Sequence, residues 1–235
     1  MPLSSVVGAQ SIIKPGVCTS STRPAVPFEG QMIYETDTDL VSAYNGSAWV
    51  YQSPLRFTTE AARDAAITAP TEGMVAYLTA PTVPAATGAT TYVPTGIQTI
   101  YNGSSWVCVT VVGAKVTASQ TTTSTAYTDL ATVGPAVTLS TGTTALVQLS
   151  ALITASATSV YAIAAVAVSG ASTIAENDLE SVFVQSPSGI YQGMAGRTIV
   201  IGGLTAGTNT FTIKYRVTAG TGTFEGRQLF VQGIA

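Results

Sequence analysis

The residues best suited to chemistry in this chain are acids in the stretch AENDLES, which contains Glu176, Asp178 and Glu180. Two carboxylates that face one groove could hydrolyse a glycosidic bond, one as proton donor and the other as base or nucleophile, or they could bind a cation. The alternative is a solvated loop that leads into a strand, where acidic residues are common. The sequence favours the loop.

The chain contains no histidine. This excludes His-based triads and removes both the usual general base near neutral pH and the commonest nitrogen ligand of metals. Asp37 and Asp39 resemble the D-x-D start of a calcium loop, but the glycine and the distant Glu of that pattern are missing, so a hairpin turn is preferred. We therefore expect no enzyme activity, no catalytic residue, no metal site and no cofactor.

Four aromatic residues could stack on sugar rings: Trp49, Trp106, Tyr191 and Tyr215. In β proteins such residues lie more often in the core. Asn45 and Asn102 each begin an Asn-Gly-Ser pattern that matches an N-glycosylation acceptor. Because the N-terminus shows no secretory signal, a hairpin turn is the preferred interpretation of both.

The composition argues against a membrane or a nucleic acid as partner. Only 9% of the residues are charged and 46% are apolar, but the densest apolar segment, Ala145 to Val168, is interrupted by too many polar residues to span a bilayer. Two strands with a polar turn fit it better, and its second half, Val160 to Val168, is apolar on both faces and needs cover from a second sheet or another subunit. The nine basic residues are scattered, so no phosphate-binding stripe is expected.

Two segments of the chain repeat one another. YNGSAWV from Tyr44 returns as YNGSSWV from Tyr101, and EGQMIY from Glu29 returns as EGMVAY from Glu72. Each copy predicts a small three-stranded β-meander whose second and third strands are joined by an Asn-Gly turn of type I′. The second copy contains an insertion, residues 79–96, that is a loop by composition. Thr59 to Ile67 predicts the one helix, with Thr59 as its cap.

From about Val116 the sequence consists of short runs in which apolar and polar residues alternate, and turn residues separate these runs. Seven runs predict strands: Ala136–Leu139, Ala145–Ile153, Val160–Val168, Leu179–Gln185, Thr198–Ile201, Asn209–Val217 and Gln228–Ile234. The expected fold is mainly β, with a C-terminal jelly-roll-like sandwich. The expected organisation is an N-terminal arm (1–28), a first meander (29–56), a helix plus second meander (57–115) and the sandwich (116–235).

Cys18 and Cys108 show no metal-ligand spacing, and without a secretory signal two reduced thiols are expected rather than a disulfide. Gly202-Gly203 and Thr221-Gly222-Thr223 lack the spacing of a phosphate-binding loop and predict strand turns. None of these residues is assigned to a site.

The repeated modules resemble modules of virion structural proteins of tailed bacteriophages, the head fibres and minor tail proteins. The resemblance rests on PFEGQMIYETDTD with YNGSAWV, TEGMVAY with YNGSSWV, the RDAAI helix, and the C-terminal run from Arg197 to Arg216 followed by GTGTFEGRQLFV. It implies a homotrimer whose N-terminal segment is docked on a capsid or tail protein, assembled in the bacterial cytoplasm and located in the virion.

Three functions remain open at this point. The first is a non-enzymatic head-fibre, decoration or cement protein, anchored by its N-terminus, whose exposed sandwich would also bind host surface glycans. The second is a minor tail protein or tail-fibre adhesin. The third is a carbohydrate-active tailspike enzyme with a carboxylate pair such as Glu176 and Asp178, although no β-helix repeat is visible.

Overall fold

The structure is a computed structural model that describes residues 16–38, 40–51 and 55–235, with the side chain of Tyr51 left out. The chain divides into two compact units, Met1–Leu55 and Arg56–Ala235. The fold is mainly β, which confirms the predicted fold class. Among the described residues no helix is long and apolar enough to cross a membrane.

The first unit contains a four-stranded sheet in the order β1-β2-β3-β4. Its strands are β1 (Gly16–Cys18), β2 (Met32–Glu35), β3 (Leu40–Tyr44) and β4 (Trp49–Tyr51). β1 lies parallel to β2, and the other neighbours are antiparallel. The repeat therefore begins with an extra strand that the sequence pattern does not reveal.

The second copy has the same plan within the second unit. Its strands are β5 (Leu55–Phe57), β6 (Val75–Leu78), β9 (Ile97–Tyr101) and β10 (Trp106–Cys108), in the order β10-β9-β6-β5. Helix α1 (Glu60–Ala66) connects its first two strands, and the Thr59 side chain accepts a hydrogen bond from the Ala62 amide, as a helix cap does. The predicted helix and its cap are confirmed.

The two Asn-Gly turns have the same geometry, and it is not the predicted type I′ turn. Gly46 and Gly103 have φ values of 90° and 89°, whereas no asparagine among the described residues has a positive φ. Instead the Asn45 side-chain oxygen accepts the amides of Ser47 and Ala48 at 3.0 and 2.8 Å. A four-residue loop closed by the asparagine side chain thus replaces the two-residue turn, since that side chain satisfies the amides that would otherwise face solvent.

Replacing Asn102 by alanine is expected to lower the free energy of unfolding of the second unit by about 1–2 kcal/mol. The reason is that the Asn102 side-chain oxygen accepts the amides of Ser104 and Ser105 at 3.1 and 3.0 Å. Urea unfolding would measure it. Ser104→Ala in the same loop is the control, with an expected change within about 0.5 kcal/mol, and an equal effect of the two substitutions would contradict the role of Asn102.

The insertion of the second copy is not a loop, contrary to the prediction. It contains β7 (Ala85–Thr87) and β8 (Thr90–Tyr92). β7 pairs with β13 (Ala136–Thr141), and β8 pairs with β11 (Val112–Val116), so the insertion adds one edge strand to each sheet of the C-terminal sandwich. Composition could not show this, because the partners of these strands lie far away in sequence.

The remaining strands complete a jelly roll of two packed sheets. They are β12 (Gln120–Thr122), β14 (Thr144–Ala155), β15 (Tyr161–Gly170), β16 (Val182–Gln185), β17 (Tyr191–Gly202), β18 (Gly207–Val217) and β19 (Gly222–Ile234). One sheet has the order β17-β14-β19-β11-β8, with β12 also on β19, and the other has the order β16-β15-β18-β13-β7. From β12 onward successive strands alternate between the two sheets, as in a jelly roll, except that β15 and β16 are neighbours in the same sheet.

The core lies between the two sheets, and strict alternation along the long strands fills it. Every second residue of β14 is buried, from Ala145 to Ala155, and β18 contributes Phe211, Ile213 and Tyr215. The largest fully buried side chain is Arg227, which lies at a bulge where two residues of β19 oppose one residue of β14.

The cover over β15 comes from the same chain rather than from another subunit. Ile163 and Ala165 point away from the core yet are only 5% and 1% exposed. The segment between β15 and β16 folds back, with Val168 and Ile174 exchanging backbone hydrogen bonds of 2.9 and 3.0 Å, and its 3₁₀ turn at Asp178–Glu180 packs on β15. The apolar outer face of this strand is thus no evidence for a subunit contact.

The division of the chain differs from the one expected from sequence. The second repeat and the sandwich form one unit, because β10 packs on β13 and β19, and the inserted strands join both sheets. No boundary separates residues 57–115 from 116–235. Most of the predicted arm, 1–28, lies outside the described residues, although β1 and the connection that follows it belong to the first repeat.

Candidate interaction surfaces

The acid cluster is organised around an ion pair. Asp178 accepts hydrogen bonds from the Tyr127 hydroxyl at 2.6 Å and from Arg216 Nε at 3.0 Å, and a second Arg216 nitrogen completes a bidentate pair. The hydrogen bonds from Arg216 and Tyr127 lower the pKa of the Asp178 carboxyl. A proton donor in glycoside hydrolysis needs a raised pKa, so the arrangement favours a structural role for Asp178. Glu176 and Glu180 are partly exposed beside it.

The lowered pKa of Asp178 predicts an acid-dependent contribution to stability. A carboxylate whose pKa is lower in the folded state stabilises the fold above its unfolded pKa, about 3.9, and loses that contribution as pH falls through the folded value. We expect Asp178→Asn to lower the free energy of unfolding by at most about 1 kcal/mol at pH 7, because the pair is exposed, and by less at about pH 2. Urea unfolding at both pH values measures this, and an equal loss at both would contradict it.

Asp37 closes a loop of the first repeat rather than opening a cation site. It accepts the Ser20 amide at 2.8 Å and the Ser20 hydroxyl at 2.5 Å, and the hydrogen bonds from Ser20 lower the pKa of its carboxyl. Asp39, the other half of the predicted pair, lies outside the described residues. Within those residues no cluster of three His, Cys, Asp or Glu side chains could hold a metal ion.

Of the four aromatic residues predicted as sugar-stacking candidates, Tyr191 alone is largely exposed, at 49%. Tyr215 is fully buried and donates its hydroxyl to the Gly134 carbonyl. Trp106 is buried under the Arg63 guanidinium, 4.5 Å from its ring centre, and Trp49 packs on Tyr44. Tyr215, Trp106 and Trp49 are therefore packing residues of the fold.

Cys18 and Cys108 are both free thiols in the structure, and the absence of a disulfide between them stays a prediction. Cys108 is buried at the foot of the second repeat, where its sulfur contacts the Thr110 carbonyl at 3.6 Å. Burial raises the pKa of the Cys108 thiol. A thiol in this state is a poor nucleophile, so Cys108 is a packing residue.

The outer face of the β17-β14-β19-β11-β8 sheet is almost without charge, and we call it the uncharged face. Strand register places neutral side chains on it from four strands, β8, β14, β17 and β19: Tyr92, Leu146, Gln148, Ser150, Leu152, Thr154, Gln192, Met194, Thr198, Val200, Thr223, Gln228, Phe230 and Gln232. The charged residues in this register are Lys115 and Glu225. Met194 and Val200 are 71% and 57% exposed, and the Tyr92 ring stacks on Phe230 at 5.5 Å.

The outer face of the opposite sheet has a different character. Lys214 pairs with Asp129 at 2.7 Å, and Arg216 pairs with Asp178. Each ion pair joins β18 to a connecting segment: Asp129 lies between β12 and β13, and Asp178 lies between β15 and β16. Among the described residues, ion pairs and covering segments are thus concentrated on this face of the sandwich, whereas Lys115 and Glu225 are the charged residues in the register of the uncharged face.

A second apolar surface lies along the unpaired edges of the sandwich, where β16 and β17 pack side by side. We call it the β16–β17 rim. Leu179 is 80% exposed, Ile190 75%, Phe183 53% and Tyr191 49%. Clefts of about 410 and 280 Å³ flank Phe183, one toward β17 and the other toward Tyr161 and Arg216. Arg197 lines the first cleft and donates to the Leu179 carbonyl at 2.5 Å.

The chain has a distant structural similarity to a solved structure and no match to a protein family. No family model matches the chain, and no curated protein matches it. Among solved structures, one titled "Structure of Eiger TNF from S. frugiperda" aligns over 50% of this chain and 85% of its own, with 13% sequence identity and a TM-score of 0.34.

Proposed function

We propose that the chain is a non-enzymatic structural protein of a tailed-bacteriophage virion. In this proposal it is a trimeric head-fibre or decoration-type appendage, with its N-terminal segment on a capsid or tail protein and its jelly roll exposed. Host surface glycans are the proposed ligands of the exposed domain. The motif resemblance supplies the class of protein, and the structure supplies physical support for it.

The observation that carries the proposal is the geometry of the repeat. The chain builds the same four-stranded unit twice, down to matched bonds such as Gly30 N to Tyr44 O at 2.7 Å and Gly73 N to Tyr101 O at 2.8 Å. Of the residues that the sequence offered for chemistry, Asp37 closes a loop, and Tyr215 and Trp106 fill cores. A module repeated for its shape suits a spacer between an anchor and an outer domain.

The repeats differ in a way that fits the spacer role. In the second copy Leu78 and Ile97 are buried in the core of the second unit. In the first copy the position of Leu78 holds Glu35, a buried carboxylate that accepts bonds from Arg23 at 2.6 Å and from the Ser42 hydroxyl at 3.2 Å. The first copy thus has a polar, hydrogen-bonded carboxylate where the second copy has an apolar side chain. The apolar side chains of the second copy pack in the core of the second unit.

The proposal is tested on purified particles of the phage that encodes the chain. We expect tryptic peptides of this protein in intact virions after gradient purification. Its copy number per particle, calibrated against the major capsid protein, should be a multiple of three. Particles from a phage with the gene deleted provide the control. Absence of the peptides from intact virions would refute the proposal. Particle-bound protein that hydrolyses host polysaccharide would favour the tailspike enzyme instead.

A further inference from the structure

We infer that copies of this chain associate by packing the β16–β17 rim of one copy against the uncharged face of the next. The inference rests on the proposed function, because it locates the contact between the copies of the proposed trimer. The partner at this contact is a second copy of the chain.

The area of the uncharged face is sufficient for a stable contact. Its three long strands, β14, β17 and β19, have 12, 12 and 13 residues. At about 3.4 Å per residue and about 4.8 Å between strands, these strands and their shorter neighbours present roughly 700 Å². Standard protein interfaces take about 600–1,000 Å² from each partner, so the area of the face lies within this range.

The chemistry of the face fits a neutral partner. The face has two charged residues of opposite sign, Lys115 and Glu225, among glutamine, threonine and apolar side chains. It therefore offers little electrostatic attraction to an ionic ligand. Interface cores are likewise depleted of charged residues. The rim offers the matching surface, since its exposed side chains are Leu179, Phe183, Ile190 and Tyr191, and its Arg197 is engaged with a backbone carbonyl of the same chain.

The edge strand gives an independent reason for self-association. β17 is a 12-residue strand at the edge of its sheet, and Arg197 is its one charged residue. Long exposed edges invite pairing, and monomeric proteins protect them with charges, prolines or short strands. β17 has little of this protection, so the surface beside it requires cover.

A second copy covers both surfaces at once. Because the rim and the face are different patches on one molecule, their contact is heterologous and repeats from copy to copy until the ring closes. A foreign protein on the face would leave the rim exposed, and one on the rim would leave the face exposed. Closure after three copies is the arrangement that the proposed trimer requires.

The test is the mass of the full-length protein in solution, by native mass spectrometry and by light scattering. The wild type is expected as three copies of the 23.9 kDa chain. Val200→Glu places a carboxylate on the uncharged face, where Val200 is 57% exposed, and should weaken association by about 100-fold, which gives a single-chain mass at micromolar concentration. Val133→Glu is the matched control, because Val133 is 51% exposed in the segment before β13, and it should keep the wild-type mass.

Two further measurements separate a loss of association from a loss of folding. Circular dichroism must show that Val200→Glu keeps the wild-type spectrum and a cooperative melt. Hydrogen exchange of the wild type at rising protein concentration should slow at residues 191–202 and stay unchanged at residues 136–141. A wild type that is a single chain at 100 µM, or a folded Val200→Glu that keeps the wild-type mass, would overturn the inference.

The failure of this inference can be distinguished from the failure of the proposed function. A single-chain mass together with peptides in intact virions would refute the contact and leave the virion role in place. A trimer that depends on Val200, together with absence from particles, would refute the virion role and leave the contact in place.

Discussion

Replacing Arg227 by alanine should lower the free energy of unfolding of the second unit by about 3–5 kcal/mol. The Arg227 side chain is fully buried and spans from β19 to the segment before β13. It donates to Gln120 Oε1 at 2.8 Å and to the carbonyls of Gly134 and Thr132 at 3.3 and 3.4 Å, and its guanidinium lies 5.2 Å from the Tyr215 ring centre. Alanine would remove all of these bonds and open a cavity, while the Gly134 carbonyl would keep the Tyr215 hydroxyl and Gln120 Oε1 would keep the Thr132 amide as donors.

Two further variants separate the hydrogen bonds of Arg227 from its volume. Arg227→Met fills most of the space without donors, so it should recover only part of the loss and remain about 2 kcal/mol less stable than the wild type. Arg56→Ala, at an exposed arginine of the same unit, should change stability by less than about 0.5 kcal/mol. Urea unfolding measures all three, and an Arg227→Met variant as stable as the wild type would show that the guanidinium contributes only volume.

Gly233→Val should be the most disruptive substitution at the base of the second repeat, with an expected loss of about 3 kcal/mol. A Cβ at this position would lie 2.6 Å from Val107 Cγ1 and 2.7 Å from the Cys108 carbonyl oxygen. The carbonyl belongs to β10, whose backbone is held by β9, so it cannot move without breaking the sheet. The substitution therefore pushes the second repeat away from the sandwich.

Gly202→Val is the matched control for Gly233→Val, because both glycines lie in strands of the same sheet and a Cβ at Gly202 would meet nothing within 4 Å. It should change the free energy of unfolding by less than about 0.5 kcal/mol. Limited proteolysis should also cut Gly233→Val, but not Gly202→Val, within residues 57–110. Equal stability of the two variants would contradict the packing of the repeat on the sandwich.

The parts of the fold that follow from local pattern were predictable. Alternation along residues 145–153 and 209–217 predicted two strands of the sandwich, which are observed at 144–155 and 207–217, and the Thr59 cap predicted the helix. Parts that depend on distant partners were not. β7 and β8 lie in a stretch of proline, threonine and alanine, and they are strands because β13 and β11 supply their hydrogen bonds.

The candidate surfaces follow the same rule. The outward residues of β14, from Thr144 to Thr154, already lack charge in the sequence, so the uncharged face had a visible signal once the register was known. The burial of Arg227 had none, because an arginine in a strand is ordinarily assigned to the solvent side. The bulge that turns it inward depends on Gly226, at a φ of 55°.

Immunogold electron microscopy of purified particles, with an antibody raised against residues 116–235, tests the central claim most directly. The account predicts label on intact virions, and label over the capsid would identify a head fibre or decoration protein. Label at the tail tip would keep the virion role and move the attachment to the tail, with a role in host adsorption. Particles without label, from a stock in which the antibody recognises the free protein, would contradict the account.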